Sequence, residues 1–209
     1  TGFTKGEFAM TTGSFDTYRA TLDLDGKLSQ DGNLLYRLNI MGQSKGSFRD
    51  FEYNNRYTIA PVLKYKLSDK TSITAEYTYQ FSQMSVIGSA YVFSGTGLGV
   101  YPRNISLASA NLDPTKINDH SSFLILEHQL SSNWKLTGQL AYFNSTQLGS
   151  SMWADSAKAN GNIYRRVSIW DAANQGKVAQ VFVNGDVTTG PVTHRILAGL
   201  DLGSKKYSA

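Results

Sequence analysis

The stretch RYTIAPVLKYKLSDKTSITAEYTYQF, residues 56–81, alternates apolar and polar side chains on both sides of a short polar segment. Its lysines, arginine and glutamate share one parity with its threonines, apart from Thr71 in the polar segment. Tyrosine, isoleucine, leucine and phenylalanine occupy the other parity. Because successive side chains of a β-strand point to opposite faces, this stretch predicts a hairpin with one apolar face and one polar face. The turn is predicted at residues 68–71.

The same alternation recurs along the chain, and short and long connections separate the predicted strands in turn. The short connections are residues 29–33, 68–71, 131–133 and 189–192, and the long ones are about 44–55, 83–119 and 147–176, of which 163–170 is itself strand-like. In an antiparallel series this arrangement puts every long connection at one end. Outer-membrane β-barrels have short periplasmic turns and longer external loops, so the pattern favours such a barrel.

The two faces of the predicted strands differ in charge. With the face chosen strand by strand, the apolar face of the clearest strands contains no Asp, Glu, Lys or Arg, and the opposite face contains many. A lysine or arginine that faces lipid at mid-membrane costs about 2–4 kcal/mol. The lipid-facing side of each strand is therefore expected to lack charged residues. Tyr18, Tyr57, Trp134 and Tyr142 lie near predicted strand ends, where aromatic girdles occur. The alternative is a large soluble antiparallel sandwich with an apolar core face.

Composition excludes several other classes of protein. Only 17% of the 209 residues are charged, and no apolar run approaches the roughly 20 residues that a membrane-spanning helix needs. Cysteine is absent, which rules out disulfides and thiolate metal sites within the chain. The net charge of +4 comes from scattered basic residues, so no nucleic-acid partner is expected.

The sequence shows no catalytic or metal-binding constellation. His120, His128 and His194 lie on different predicted strands, whereas a metal site needs clustered ligands. Asp23 and Asp25 share the polar face with Arg19 and are interpreted as a hydrated salt network. The chain is therefore not expected to be an enzyme or to hold a metal or cofactor of its own.

The longest predicted loop, residues 83–119, is the best candidate for a binding site. Tyr91, Phe93, Tyr101 and Arg103 could line an external pocket, where aromatic rings supply apolar contact and a guanidinium binds ligand oxygens. The alternative is that these aromatic rings pack the loop against itself or its neighbours. Trp153 and Trp170, in the segment 147–176, are weaker candidates on the same argument.

Several motifs, in order and at suitable spacings, resemble TonB-dependent siderophore receptors of the ferrichrome-receptor group. They are RYTIAP at residues 56–61, DLDGKL at 23–28 with LYRL at 35–38, SDKT at 68–71 and TGPVTHRILAG at 189–199. The family fold is an N-terminal plug inside a 22-stranded barrel. The resemblance implies that residues 1–209 correspond to about nine strands of such a barrel, an incomplete portion without the plug.

The resemblance also implies a function, which is active transport of a ferric siderophore across the bacterial outer membrane, driven through TonB. The expected partners are the ferric siderophore, the TonB complex acting through the plug, and outer-membrane lipid and lipopolysaccharide. Iron would enter only as cargo. The alternative is a passive diffusion porin or a structural or adhesin barrel. Loop 83–119 carries only Arg103, Asp113, Lys116 and Asp119, which makes a poor charged constriction for a porin.

Overall fold

The computed structural model describes residues 4–209, which form one antiparallel sheet of nine strands paired in chain order. The strands are β1 (Lys5–Gly13), β2 (Thr17–Lys27), β3 (Leu34–Ser44), β4 (Asn54–Ser68), β5 (Thr71–Met84), β6 (Thr115–Gln129), β7 (Trp134–Ala157), β8 (Ile163–Thr189) and β9 (Val192–Ser208). The all-β antiparallel prediction is confirmed. Within the described residues the sheet is not closed, and no second sheet covers it. The soluble-sandwich alternative is therefore wrong.

Within residues 4–209 there is no helix long and apolar enough to cross a membrane.

Two of the predicted long connections have different bounds in the structure. The connection predicted at 83–119 comprises residues 85–114, because β5 and β6 are longer than predicted. The prediction of a loop at 147–176 was wrong, since only residues 158–162 lie outside strands. The outer parts of β7 and β8 pair with each other from Leu148↔Asp171 to Ala157↔Ile163, beyond the first β6–β7 pair at Lys116↔Leu148. They form a projecting hairpin, residues 149–171.

The register places the predicted apolar rows on one face of the sheet. Leu124, Leu140, Ala179 and Leu202 are successive cross-strand partners, and Leu140 and Leu202 are 56% and 73% exposed. Apolar side chains this exposed across several strands need an apolar surrounding, which the lipid of a membrane supplies.

Ion pairs lie on the opposite face. Arg37 Nη2 is 2.5 Å from Asp23 Oδ2, and Glu127 lies between Lys64 at 3.4 Å and Lys135 at 2.9 Å. These pairs join neighbouring strands, and in the case of Glu127 they link β4, β6 and β7. The polar face therefore matches the water-filled interior expected of a barrel wall.

An aromatic belt crosses the apolar face at the end where the long connections lie. The Tyr57 ring centroid is 5.4 Å from that of Phe81 and 5.8 Å from that of Tyr79, which lies 4.7 Å from the His120 ring. The hydroxyl of Tyr77 is 2.7 Å from His120 Nδ1, so the ring also has a polar partner. Rings with an apolar body and a polar edge favour the boundary between lipid and water.

Pro61 interrupts the sheet on one side only. It pairs with Leu38 in the β3–β4 ladder, but the β4–β5 ladder stops at Ile59↔Tyr79 and resumes at Val62↔Glu76. Because proline has no backbone N–H to donate, the gap falls on the β5 side, where Tyr77 lies opposite. The structure thus identifies the partner strand at which the hydrogen bond is lost.

The β2–β3 turn is held by one carboxylate. Ser29 Oγ donates to Asp31 Oδ1 at 2.5 Å, and the backbone N–H and side-chain amide of Asn33 donate at 3.0 and 2.6 Å. The hydrogen bond from Ser29, followed by those from Asn33, holds the pKa of Asp31 below its ordinary value. Gly32 follows with φ of 72°, which a residue without a Cβ adopts without strain.

The two faces can be tested with adjacent residues on β8. Val181 lies on the apolar face, midway between the rows of Trp134 and Tyr142. Gln180 lies on the polar face, where its Nε2 donates to Asp201 Oδ1 at 2.9 Å. We expect Val181→Lys in the full-length protein to lower the free energy of unfolding from lipid vesicles by about 2–4 kcal/mol. The matched Gln180→Lys should change it by less than about 0.5 kcal/mol. Equal losses in urea-unfolding titrations would contradict the assignment of the faces.

Candidate functional site

The 85–114 connection packs onto the projecting hairpin through a small apolar core. Val86, Leu107, Ala108 and Met152 are buried there, and Met152 is only 1% exposed. The backbone N–H of Met152 donates to the carbonyl of Ile87 at 2.7 Å, and a parallel bridge joins Ile87 to Ser151. The connection is therefore fixed to a sheet extension by both apolar packing and backbone hydrogen bonds.

This close approach depends on Gly88. Its φ is 86°, and a Cβ at this position would lie 2.3 Å from the carbonyl oxygen of Met152 and 3.0 Å from the Trp153 ring. Any other residue would have to push the connection away from β7. Glycine here thus allows the loop backbone to lie directly on the hairpin.

Two charged residues of the first long connection, residues 45–53, tie the loops together. Glu52 Oε1 accepts hydrogen bonds from the hydroxyls of Ser89 at 3.1 Å and Ser106 at 2.8 Å. Arg49 Nη1 donates to the carbonyl oxygens of Ala90 at 3.4 Å and Ile105 at 3.2 Å. Each side chain therefore joins two separate parts of the 85–114 connection, near Tyr91 and near Arg103.

Tyr91 forms an aromatic surface with the hairpin. Its ring stacks on Trp153 with centroids 5.3 Å apart and an interplanar angle of 22°, and the two residues are 63% and 42% exposed. Trp153 was one of the two weaker candidates from the sequence. In the structure its ring packs directly against that of Tyr91, a predicted site residue. Phe93 is 52% exposed in the same connection.

The other two predicted residues differ in their surroundings. The guanidinium carbon of Arg103 lies 5.2 Å from the Phe48 ring centroid, as does that of Arg49. Tyr101 is half-buried, and its hydroxyl donates to the carbonyl of Gly161 at 3.1 Å. Tyr101 therefore ties the loop to the hairpin, while Arg103 is exposed and keeps a cation at the surface. We call Phe48, Tyr91, Arg103 and Trp153 the loop platform.

Below the loops, a cavity of about 630 Å³ opens on the polar face. It lies between the 43–56 segment and the 84–90 segment, and its lining includes Lys45, Glu52, Tyr53 and Arg56. This volume falls within the range of small-molecule sites, about 300–1,000 Å³. Two cations on its wall, Lys45 and Arg56, give it a chemistry suited to an anionic or oxygen-rich ligand.

Sequence reasoning missed Phe48, Arg49, Glu52 and the cavity. The signal in 45–53 is an alternation of charged and aromatic residues in a short polar connection, which does not differ from an ordinary loop. Their roles arise only when this connection meets residues 84–108, which are distant in sequence. Trp170, the other weak candidate, lies on the hairpin strand β8 and pairs with Gly149.

The histidines lie apart from the loop platform. His120 belongs to the aromatic belt, and Thr71 Oγ1 lies 2.8 Å from His128 Nδ1 near the short-turn end. Within residues 4–209, no group of three or more His, Cys, Asp or Glu side chains could hold a metal ion. The described surface thus offers aromatic rings, cations and hydroxyls for binding.

Comparisons with known proteins agree with this geometry. The chain is 30% identical over 192 residues to the metal-pseudopaline receptor CntO of Pseudomonas aeruginosa, covering 90% of this chain and 27% of that receptor. It is 33% identical over 76 residues to the ferripyoverdine receptor of the same species, covering 36% of this chain and 9% of that receptor. The chain thus spans about a quarter of the length of the metal-pseudopaline receptor. No protein-family model matches it.

Solved structures show the same fold. The siderophore receptor PiuA from Acinetobacter baumannii superposes with a TM-score of 0.88 at 20% identity, over 99% of this chain and 31% of that structure. The ferripyoverdine receptor of P. aeruginosa bound to ferripyoverdine superposes with a TM-score of 0.83 at 19% identity, over 99% of this chain and 28% of that structure.

Fold, faces and relatives together define the class, which is that of bacterial outer-membrane β-barrels. More particularly, the chain is homologous to part of the TonB-dependent siderophore receptors, which confirms the resemblance predicted from its motifs. Its relatives are receptors and not enzymes, in agreement with the sequence-based expectation.

The role of Glu52 can be tested by hydrogen exchange. Removing its carboxylate in Glu52→Ala leaves the hydroxyls of Ser89 and Ser106 without this acceptor and removes one of the side-chain links between residues 45–53 and the 85–114 connection, while the link through Arg49 remains. We expect amide exchange in residues 85–114 to accelerate about tenfold or more, with exchange in β2–β5 unchanged. Asp155→Ala, which removes an exposed ion pair with Arg166 on the hairpin, is the control. Unchanged exchange of residues 85–114 in Glu52→Ala would refute the proposed role of Glu52 in holding this connection.

Proposed function

We propose that this chain forms part of the barrel wall and the external loops of a receptor that takes up a metal–siderophore complex. The metal-pseudopaline and ferripyoverdine receptors among its relatives support cargo of this class. The observation that carries the proposal is the loop platform, whose Phe48 and Tyr91 directly follow residues that line the cavity on the polar face. Residues 1–209 are, on this proposal, a partial barrel whose edge strands β1 and β9 pair with further strands of a longer receptor.

The arrangement suits a bulky chelate. Stacked Tyr91 and Trp153 present a flat apolar surface to the organic shell of a siderophore, and Phe93 is a further exposed ring of the same connection. Arg103 supplies a cation to oxygens of the chelate, with the Phe48 ring beneath it. The metal arrives already coordinated, so these residues need only bind the outside of the complex.

The cavity would receive the complex after the first contact. Lys45 and Arg56 line its wall on the polar face, which leads into the barrel interior. Movement further inward requires an energy source, since release of a tightly bound ligand is unfavourable. In the proposed receptor that energy comes from the TonB complex acting through a plug domain, so binding is coupled to a conformational change.

A passive porin is the competing function. A diffusion channel needs a charged constriction within the lumen, whereas the 85–114 connection packs on the hairpin beyond the β6–β7 pairing. This placement favours a binding surface over a channel lining.

Affinity measurements on the full-length receptor would test the cargo site. With ferric siderophores of net negative and of zero charge, we expect Tyr91→Ala to weaken binding of both by about tenfold. Arg103→Gln should weaken only the anionic complex, by about fivefold, because it removes a single exposed cation. Arg195→Gln, which changes an exposed arginine near the short-turn end of β9, serves as the control and should leave both affinities unchanged.

Measurements of iron uptake by whole cells distinguish active siderophore transport from passive diffusion through a porin. Cells that carry the receptor should accumulate radioactive iron from the siderophore complex only when TonB is present. Equal permeation of small solutes with and without TonB, together with no measurable siderophore binding, would establish the porin instead.

A further inference from the structure

One carboxylate on the polar face of the sheet has apolar neighbours. Glu76 of β5 is the cross-strand partner of Val62 on β4 and of Phe123 on β6, so the three side chains lie on the same face. Thr74 and Thr78 precede and follow Glu76 on that face. The Glu76 side chain is half-buried. Its two cross-strand neighbours therefore shield the carboxylate from water, and neither of their side chains can donate a hydrogen bond to it.

The cations nearest to Glu76 in the sheet are paired with other carboxylates. Arg37 lies two strands away in the same row, and its Nε and Nη2 donate to Asp23 at 2.9 and 2.5 Å. Lys64 lies diagonally from Glu76 on β4, and its ammonium lies 3.4 Å from Glu127. In the part of the chain that the structure describes, the Glu76 carboxylate forms neither an ion pair nor a hydrogen bond. A half-buried carboxylate without a counter-cation attracts one from its surroundings.

An aromatic pair adjoins this carboxylate. The Phe123 ring packs edge-on against Phe143 of β7, with centroids 5.4 Å apart and an interplanar angle of 81°. Phe143 is 39% exposed, so the pair reaches the surface of the polar face. A cation is attracted to the face of an aromatic ring, and the methylene chain behind the cation gains apolar contact with the same ring. Glu76 and the two rings therefore offer charge and apolar contact side by side.

Glu76 lies deeper in the wall than the cavity described above. Arg56, which lines that cavity, pairs with Ser82, and Ser82 lies six residues from Glu76 along β5. At a rise of about 3.3 Å per residue, this separation is about 20 Å along the strand. Tyr77, the residue next to Glu76, belongs to the aromatic belt of the opposite face. A ligand moving inward along this wall would thus meet the cations Lys45 and Arg56 first and the anion Glu76 afterwards.

We propose that Glu76, together with the rings of Phe123 and Phe143, forms an inner subsite for an alkylammonium group. The carboxylate pairs with the ammonium, and the methylene chain lies on Phe123 and Val62. A single carboxylate suits an amine better than a metal ion, which needs several ligands.

The subsite narrows the class of cargo, and in this respect it rests on the proposed function. A chelate with anionic oxygens and one amine arm matches both the cations of the cavity and the carboxylate of Glu76. Free polyamines carry the same ammonium group. The experiment therefore has one arm for the site itself and one for the source of the amine.

Binding of 1,5-diaminopentane to the full-length receptor in uncharged detergent micelles, followed by NMR titration, would test the site. We expect Glu76→Gln to bind this diamine about tenfold more weakly than the unchanged protein, and Phe123→Leu about threefold more weakly. Glu76→Asp retains the charge and should retain most of the affinity, which separates loss of charge from loss of folding. Asp201→Asn is the matched control, because it removes a carboxylate of the same face whose partner is Gln180. Equal affinity of Glu76→Gln and the unchanged protein would overturn the proposal, as would a loss of equal size in Asp201→Asn.

Two ferric chelates identify the source of the amine. Both have an anionic tricatecholate core, and they differ only in one arm, which ends in a primary amine or in its N-acetyl derivative. We expect the unchanged receptor to bind the amine chelate about tenfold more tightly than the acetylated one, and Glu76→Gln to bind both equally. Equal binding of both chelates by the unchanged receptor would overturn the assignment of the subsite to the cargo and leave a free polyamine as its ligand. Failure of both chelates to bind, with the diamine still bound through Glu76, would contradict the proposed cargo and not the subsite.

Discussion

Backbone hydrogen bonding in a medium without water is the constraint on which this structure depends. A strand crossing hydrocarbon must pair all its backbone groups with neighbouring strands, since each unsatisfied group costs several kcal/mol there. Nine strands paired in chain order meet this requirement along the sheet. Because the strands are pleated, successive side chains then point alternately to the lipid and to the barrel interior. The alternation at residues 56–81 follows directly from that assignment. Pro61 is tolerated because its gap is confined to the ladder with β5.

Beyond the membrane the same strands follow a different rule. The outer parts of β7 and β8 stay paired, but their residues face water and the 85–114 connection. The loops on this outer part are stabilised by the small apolar core around Met152 and by hydrogen bonds of the Glu52 carboxylate and the Arg49 guanidinium. A rigid sheet thus carries a surface built from separate loops, which is a common arrangement for binding sites.

The membrane-spanning part of the fold could be predicted from the sequence, because contact with lipid requires apolar side chains at alternate positions. The apolar rows, the four short turns and the aromatic positions Tyr57 and Trp134 could all be read from a period of two. The projecting hairpin could be read only in part. Residues 163–170 look strand-like, but the many serine, alanine and glycine residues of 149–162 give no alternation. Hydropathy patterns report the surroundings of a strand, and a strand in water on both faces resembles a loop.

The candidate site was predictable only in part. Aromatic and cationic residues in a long connection indicated Tyr91 and Arg103, yet their partners Trp153 and Phe48 come from other segments. Contacts between distant loops leave no local pattern. Tyr101 illustrates the difference, since a residue chosen for its chemistry instead binds the backbone at Gly161. The contacts of the loops, and not their composition, determine which of these side chains remain exposed at the surface.

The most direct test of this account is the accessibility of spin labels placed one at a time at residues 178–183 of β8, in the full-length receptor in lipid vesicles. Collisions with oxygen, which concentrates in lipid, should peak at 179, 181 and 183. Collisions with a water-soluble nickel complex should be greater at 178, 180 and 182. Loss of this alternation, or low accessibility to both reagents at 179, 181 and 183, would show that the apolar face meets protein and not lipid.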